Sequence, residues 1–355
     1  TQGDVAMLRK TSEASLAAAR RLAATSLEPW PRARLAAADL LAGEWDAALR
    51  GATEAVEQTR RTTNTRGLGS LLGLHSWVLV HLGRLAEARQ YLDEAHALLA
   101  EMIAADKHIA ASMALAGGCL ALVEGDAAQA RACAERLENW ASGWLPLVSA
   151  ALLGEARVRD GALDEARALG VRLRGVRSCS TPLPFAVADW IDGLAHAEEG
   201  QWTLASERLA SSAESFDQLA MPYLAARARL AGGTAILGHD DTRAADETRR
   251  ALEVFDRLGA PGDAQQARQV LRSLGVVPSR GRARARTGAA MSTRELEVAR
   301  LVATGLSNAD VATRLFVSPR TVTTHLDRIY TRLGLSSRVA LTRYLADSGL
   351  LEGER

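Results

Sequence analysis

The sequence predicts an all-α protein in two parts, a superhelix of stacked helical hairpins and a small four-helix domain at the C-terminal end. Three observations carry that prediction. Aromatic residues make up 4% of a chain that is 48% hydrophobic, and the remainder is rich in Ala, Leu, Arg and Glu, with few β-branched runs, a composition that favours helix. A glycine-led pattern recurs about every 40 residues through the first three quarters. The last sixty residues carry one helix cap after another.

The recurring pattern organises residues 1–274. Gly43, Trp45 and Ala48 are echoed by Gly83, Leu85 and Ala88, then by Gly125, Ala127 and Ala130. Gly161, Leu163 and Ala166 continue it, followed by Gly200, Trp202 and Ala205; the glycines lie 40, 42, 36 and 39 residues apart. A sixth, degenerate unit falls between Gly238 and Ala245. In each unit the glycine ends one helix, the residue two places on staples the next, and the alanine five places on lets the partner helix approach. Such hairpins cannot bury their faces alone and must stack. Of the seven tryptophans, Trp45 and Trp202 hold staple positions and are expected in the core; Trp140, Trp144 and Trp190 are candidates for lining a groove.

Residues 275–290 contain Pro278 and the alternating Arg280, Arg282, Arg284 and Arg286 without apolar periodicity, which predicts a flexible basic linker, a solvated tether or a source of phosphate contacts.

Residues 291–355 read as four short helices. Ser292 to Glu295 is a capping box opening the first, which carries Leu296, Ala299, Leu301 and Val302 and stops at Gly305. Ser307 to Asp310 repeats the device for a second helix through Val311, Ala312 and Leu315. After a turn at Phe316 to Ser318, Ser318 and Pro319 supply the N-cap and N1 residues of a third helix that ends at Gly334. Ser336 or Ser337 starts the fourth, through Arg338, Leu341 and Leu345 to Gly349. In the third helix Val322, Leu326, Ile329 and Leu333 form the buried stripe. The opposite face holds Arg320, Thr323, Thr324, Asp327, Arg328 and Thr331, short or cationic side chains suited to a major groove.

These residues carry two family resemblances. Leu306-Ser307-Asn308 with Val311-Ala312, Val317 through Val322 with His325, and Leu333 through Arg338 look like the LuxR-type DNA-binding domain, a match over about the last 62 residues. The glycine pattern resembles tetratricopeptide repeats. Together they look like the C-terminal half of the large LuxR-family regulators, in which an ATP-binding domain precedes the helical repeats. The resemblance implies a transcription activator bound to promoter DNA, with a small inducer or a protein received by the repeats and RNA polymerase as a further partner. The DNA-binding candidates are Asn308, Ser318, Arg320, Thr321, Thr323, Thr324, His325 and Arg328. For His325 a packing role stands beside a phosphate contact, and relatives often carry a basic residue where Thr323 stands. Val339, Leu341 and Leu345 of the fourth helix are candidates for a dimer surface or for core, and a dimer on DNA is expected. The rival reading is a protein-interaction scaffold whose terminal domain binds DNA only weakly or without specificity.

Charge supports the division. From Ser279 onward 13 arginines face 7 acidic residues, a net +6, while the rest of the chain nets −5; a basic module on an acidic body is the footprint of nucleic-acid binding. Phosphate-loop chemistry is not written here, since Lys10 follows Arg9 and Lys107 follows Asp106 rather than glycine. No nucleophile elbow or zinc-protease motif occurs, so neither enzymatic activity nor a cofactor or metal is expected. Cys119, Cys133 and Cys179 lack metal-ligand spacing and suit a reducing cytoplasm. No signal peptide or membrane-spanning apolar run is evident, and the chain starts at Thr1 inside a helical pattern, as a fragment would.

Overall fold

A computed structural model describes residues 5–62, 64–99, 107–138, 145–176, 181–276, 293–315, 317–333, 335 and 337–347. Among these are eighteen α-helices, one 3-10 turn and no strand. The chain divides into two compact units, Thr1–Pro278 and Ser279–Arg355.

The first unit opens with α1 (Val5–Arg21), which packs on α2 (Pro29–Leu41). From α2 the repeat predicted by the glycines is realised. The hairpins are α2 with α3 (Trp45–Arg60), α4 (Thr65–His81) with α5 (Leu85–Leu99), and α6 (Lys107–Glu124) with α7 (Ala127–Glu138). They continue as α8 (Leu145–Arg159) with α9 (Leu163–Arg174), α10 (Leu183–Glu198) with α11 (Trp202–Gln218), and α12 (Pro222–Ala235) with α13 (Asp241–Leu258). A single helix, α14 (Pro261–Ser273), ends the unit.

Each repeat glycine is left-handed, with φ between +69° and +83° at Gly43, Gly83, Gly125, Gly161 and Gly200. In every case the following N–H bonds back to the carbonyl five residues earlier, as Arg84 N does to Leu79 O at 2.9 Å and Gln201 N to His196 O at 2.9 Å. This is the Schellman closure, which satisfies helix-end carbonyls that would otherwise be unpaired. The alanines five places after each glycine, Ala48, Ala88, Ala130, Ala166 and Ala205, are all 0% exposed. A larger side chain there would push the two helices of the hairpin apart. The sixth unit departs by one residue. Asp240 caps α13 by accepting from Arg243 N at 3.0 Å, and the buried alanine moves to Ala244. Gly275, read as the first linker residue, instead closes α14 in the same manner, Val276 N donating to Leu271 O at 2.9 Å.

The even-numbered helices α2 to α14 pack on one another as an inner layer, and the odd-numbered ones bracket them outside. The superhelix then meets itself. A Cβ placed on Gly43 would lie 2.8 Å from the Pro222 side chain, and one on Gly83 2.6 Å from that of Pro261. Gly83 is therefore required twice, for its positive φ and for the approach of the α14 N-terminus. This closure brings Tyr223 of α12 against Trp45 of α3, ring centroids 5.2 Å apart, and the Trp45 indole N–H donates to Leu40 O at 3.0 Å.

The staple expectation holds at Trp45, which is buried, and fails at Trp202, which is 40% exposed and lies flat against His239 at 4.6 Å. The staple residue is the first of its helix and projects toward the turn, so its burial depends on what covers the turn. Trp45 has Tyr223 over it through the closure, whereas Trp202 has only the next turn. Trp140, Trp144 and Cys179 lie outside the described residues, while Trp190 is buried on α10.

Candidate nucleic-acid interface

The second unit is built from α15 (Thr293–Ala303), α16 (Asn308–Leu315), α17 (Pro319–Leu333) and α18 (Arg338–Asp347). The caps decide where each begins. Gly305, φ +91°, turns the chain after α15. Ser307 and Asp310 form a reciprocal box: Asp310 N donates to Ser307 Oγ at 3.2 Å and Ser307 N to the Asp310 carboxylate at 3.1 Å. The Ser307 hydroxyl also donates to that carboxylate, at 2.6 Å, and these bonds hold the Asp310 carboxyl below the usual range. Ser318 caps α17, accepting from Thr321 N at 3.1 Å, and Ser337 caps α18, accepting from Ala340 N at 3.2 Å. The Ser292 half of the first predicted box and Ser336 lie outside the described residues.

Val298, Ala299 and Val302 of α15, Val311 and Ala312 of α16, and Val322, Leu326 and Ile329 of α17 make the core, each no more than 4% exposed. Burying that stripe leaves the opposite face of α17 outward. Arg320, Thr323, Thr324 and Asp327 are all exposed there. The two threonine hydroxyls donate to carbonyls one turn back, Thr323 to Pro319 O at 3.1 Å and Thr324 to Arg320 O at 3.0 Å. Their hydroxyl protons are thereby engaged by the backbone, which leaves the oxygens as acceptors, and Thr323 Oγ1 accepts from Asn308.

At the N-terminal end of α17 the Ser318 and Thr321 hydroxyls share a 2.8 Å hydrogen bond. Only one of the two protons is needed for it, so the pair keeps a donor at a helix N-terminus, where anions are favoured. His325 is half-buried, and its Nδ1 is buried without a hydrogen-bond partner. The side chain of Arg328 lies outside the described residues.

Asn308, the first residue of α16, is held from both sides. Its amide nitrogen donates to Thr323 Oγ1 at 3.4 Å, and its oxygen accepts from Arg338 Nη1 at 3.3 Å. Arg338 is the residue that sequence reasoning undervalued. Its other terminal nitrogen donates to Leu306 O and, at 3.4 Å, to Val302 O. One guanidinium thus closes the carbonyl end of α15 and orients Asn308 beside the exposed face of α17. The sequence signal was a cation at the start of α18, where the helix dipole gives it no reason to be. Leu341 and Leu345 are 0% exposed and belong to the core, the second of the two alternatives their sequence positions left open. The helix stripe that packs on α15 has no second side to offer. Val339, 79% exposed, is the one of the three that faces outward.

A short helix, a tight turn and a longer capped helix over an apolar core define a helix-turn-helix DNA-binding domain. Residues 289–345 match the family model of bacterial regulatory proteins of the luxR family, so the terminal unit is a LuxR-family DNA-binding domain. An HTH-type transcriptional regulator of Mycobacterium tuberculosis is 45% identical over 101 residues, 27% of this chain and 11% of the relative. Oxygen regulatory protein NreC of Staphylococcus aureus is 45% identical over 62 residues, 18% of this chain and 29% of that protein. The chain thus matches about a tenth of the length of the mycobacterial relative. The repeat body is similar to the crystal structure of Rap protein complexed with competence and sporulation factor, at TM-score 0.45 and 12% identity over 70% of this chain and 76% of the other. That likeness is too distant to carry a functional comparison.

Proposed function

We propose that this protein is a bacterial, cytoplasmic transcriptional regulator that binds promoter DNA through α17, with the helical body receiving the signal. The exposed face of α17 carries the reading, because it combines a cation, two exposed threonines and a capped N-terminus on a LuxR-family domain. Arg320 reaches a phosphate or the acceptor edge of a guanine. Thr323 and Thr324 supply their methyl groups to thymine methyls. The Ser318–Thr321 pair and the first turn of α17 face one phosphate, and Asn308 holds Thr323 in place. Arg328 is a second arginine of the same helix and a further phosphate contact in this reading. Val339 joins two copies on a two-fold site with half-sites one helical turn, about 10 bp, apart, and RNA polymerase is the partner through which the bound protein activates.

Binding of the full chain to genomic DNA fragments tests this, followed as a function of salt. A selective subset bound about 10³-fold tighter than the rest is expected. Arg320→Ala should weaken that subset and flatten the salt dependence by about one counterion if the contact is to phosphate. Uniform weak binding to all fragments would overturn the regulator reading and favour an interaction scaffold.

A further inference from the structure

All seven even-numbered helices contribute to the wall of a cavity of about 400 Å³ on the inner side of the repeat body. The closure of Gly43 on Pro222 and Gly83 on Pro261 brings α12 and α14 onto the turns after α2 and α4, so the cavity is walled by both ends of the repeat and stays partly open to solvent. Packed interiors tolerate few voids larger than a water molecule, whereas drug-sized ligands occupy pockets of about 300–1,000 Å³.

Most of the wall is apolar: Leu115 and Leu122 of α6, Ala151 and Leu152 of α8, and Val187 of α10. One side is aromatic. His81 stands edge-on to Trp77 at 5.4 Å and to Tyr223 at 5.0 Å. Trp190 lies beneath the Arg227 guanidinium at 5.3 Å. The polar groups converge at one place and are matched in charge. Arg227 donates twice to Glu155, at 3.0 and 2.7 Å, from a helix 72 residues away in sequence. Arg159 reaches the same carboxylate at 2.7 Å, and the Tyr223 hydroxyl donates to Asp263 at 3.0 Å. Asp263 in turn lies 3.8 Å from Arg227 Nε. Two cations face two carboxylates, so the cavity has no charge left to offer a charged guest. Burial keeps the other titratable wall groups neutral as well: it lowers His81 to about 4 and raises the Cys119 thiol to about 12.

We propose that this cavity is a binding site for an uncharged, largely apolar, ring-containing small molecule that meets the Arg227–Glu155–Asp263 cluster with a hydrogen-bonding group. This deepens the reading of the helical body as the signal receiver, though the binding step stands apart from DNA recognition. Aromatic edges and faces suit flat rings. An ionised ligand would bring an uncompensated charge into an apolar space, at a large desolvation cost.

The test uses two fluorescent probes with one ring system, N-phenyl-1-naphthylamine, which is neutral, and 8-anilino-1-naphthalenesulfonate, which is an anion. The full chain should bind the neutral probe at one per chain in the low-micromolar range, and the sulfonate at least about ten-fold more weakly. Ala151→Trp, which fills the cavity from α8, should abolish binding with the melting temperature retained. Val148→Trp, also on the wall, fills it from the previous turn where the first variant does not fold, and Val171→Trp on the exposed surface is the control. Trp190→Phe fills nothing and should cut the energy transfer from protein to bound probe. No saturable binding, undiminished binding in the filled variants, unchanged energy transfer in Trp190→Phe, or a preference for the sulfonate would each overturn the proposal. The readout is the probe, so loss of DNA selectivity alone would leave it standing, and loss of probe binding would leave the DNA reading standing.

Discussion

At the level of single residues, the terminal unit shows how a side chain's chemistry is set by what it already bonds. Thr323 and Thr324 return their hydroxyl protons to Pro319 O and Arg320 O, and in the binding mode proposed above their methyl groups do the reading. Thr323→Val should therefore keep selective DNA binding, and Thr323→Ser should weaken it by about 1 kcal/mol, the worth of one buried methyl group. Titration of the two variants against a selected fragment checks this; equal loss in both would mean that the hydroxyl, not the methyl group, does the reading. Arg338 acts by position rather than by contact with DNA. Arg338→Ala frees the Leu306 and Val302 carbonyls and releases Asn308. It should cost the domain about 2 kcal/mol, visible as a lower midpoint in thermal unfolding, with DNA affinity falling as the fold loosens. The residues of the α17 face could be read from the sequence because a 3.6-residue period separates them from Val322, Leu326 and Ile329. The tie between Asn308 and Arg338 could not, since it spans 30 positions and depends on how α18 crosses α15.

At the level of elements, glycine punctuation made the hairpins legible. A left-handed helix end leaves a requirement that few residues but glycine meet, and an alanine five places on marks the contact that follows. That pair of signals located α2 through α11 at the Gly43, Gly83, Gly125, Gly161 and Gly200 turns. It weakened at Gly238, where an added residue lets Asp240 take over as the cap. The turns are alike in conformation and unlike in surroundings, and a pair of substitutions separates the two effects. A Cβ on Gly161 meets nothing within 4 Å, so Gly161→Ala should cost only the left-handed strain, about 1 to 2 kcal/mol. Gly83→Ala adds a clash with Pro261 across the closure and should cost at least about 1 kcal/mol more. Comparing their unfolding midpoints checks whether the closure exists in solution, because equal losses would mean that Pro261 is not seated on Gly83.

At the level of the repeat body as a whole, closure and cavity were the features the sequence could not announce. Leu115, Ala151, Val187 and Tyr223 each look like ordinary core positions of their own helix; only the superhelical pitch brings them around one space. Closure also buries His81, and the α4–α5 packing buries His75, whose ring lies 4.4 Å from Tyr91. Burial lowers both imidazoles from 6.5 to about 4. The sign of the consequence follows from proton binding. Below pH 6.5 the unfolded chain protonates both rings and the folded chain does not, so stability is complete above about pH 6.5 and is lost as pH falls toward 4. By pH 5.5 the loss is about 1 kcal/mol for each histidine. Glu155 adds nothing in that window, because Arg227 and Arg159 outweigh its burial and hold its carboxyl below the usual value, so its protonation comes later. Asp39, raised by burial, works in the opposite sense and blunts the fall. His75→Leu removes one of the two contributions while keeping an apolar side chain against Tyr91. Its unfolding midpoint should drop between pH 7.5 and pH 5.5 by roughly half as much as that of the unaltered chain. Parallel curves for the two proteins would show that His75 is protonated in the folded state, and that α4 and α5 are packed less closely in solution than the 3% exposure of this ring requires.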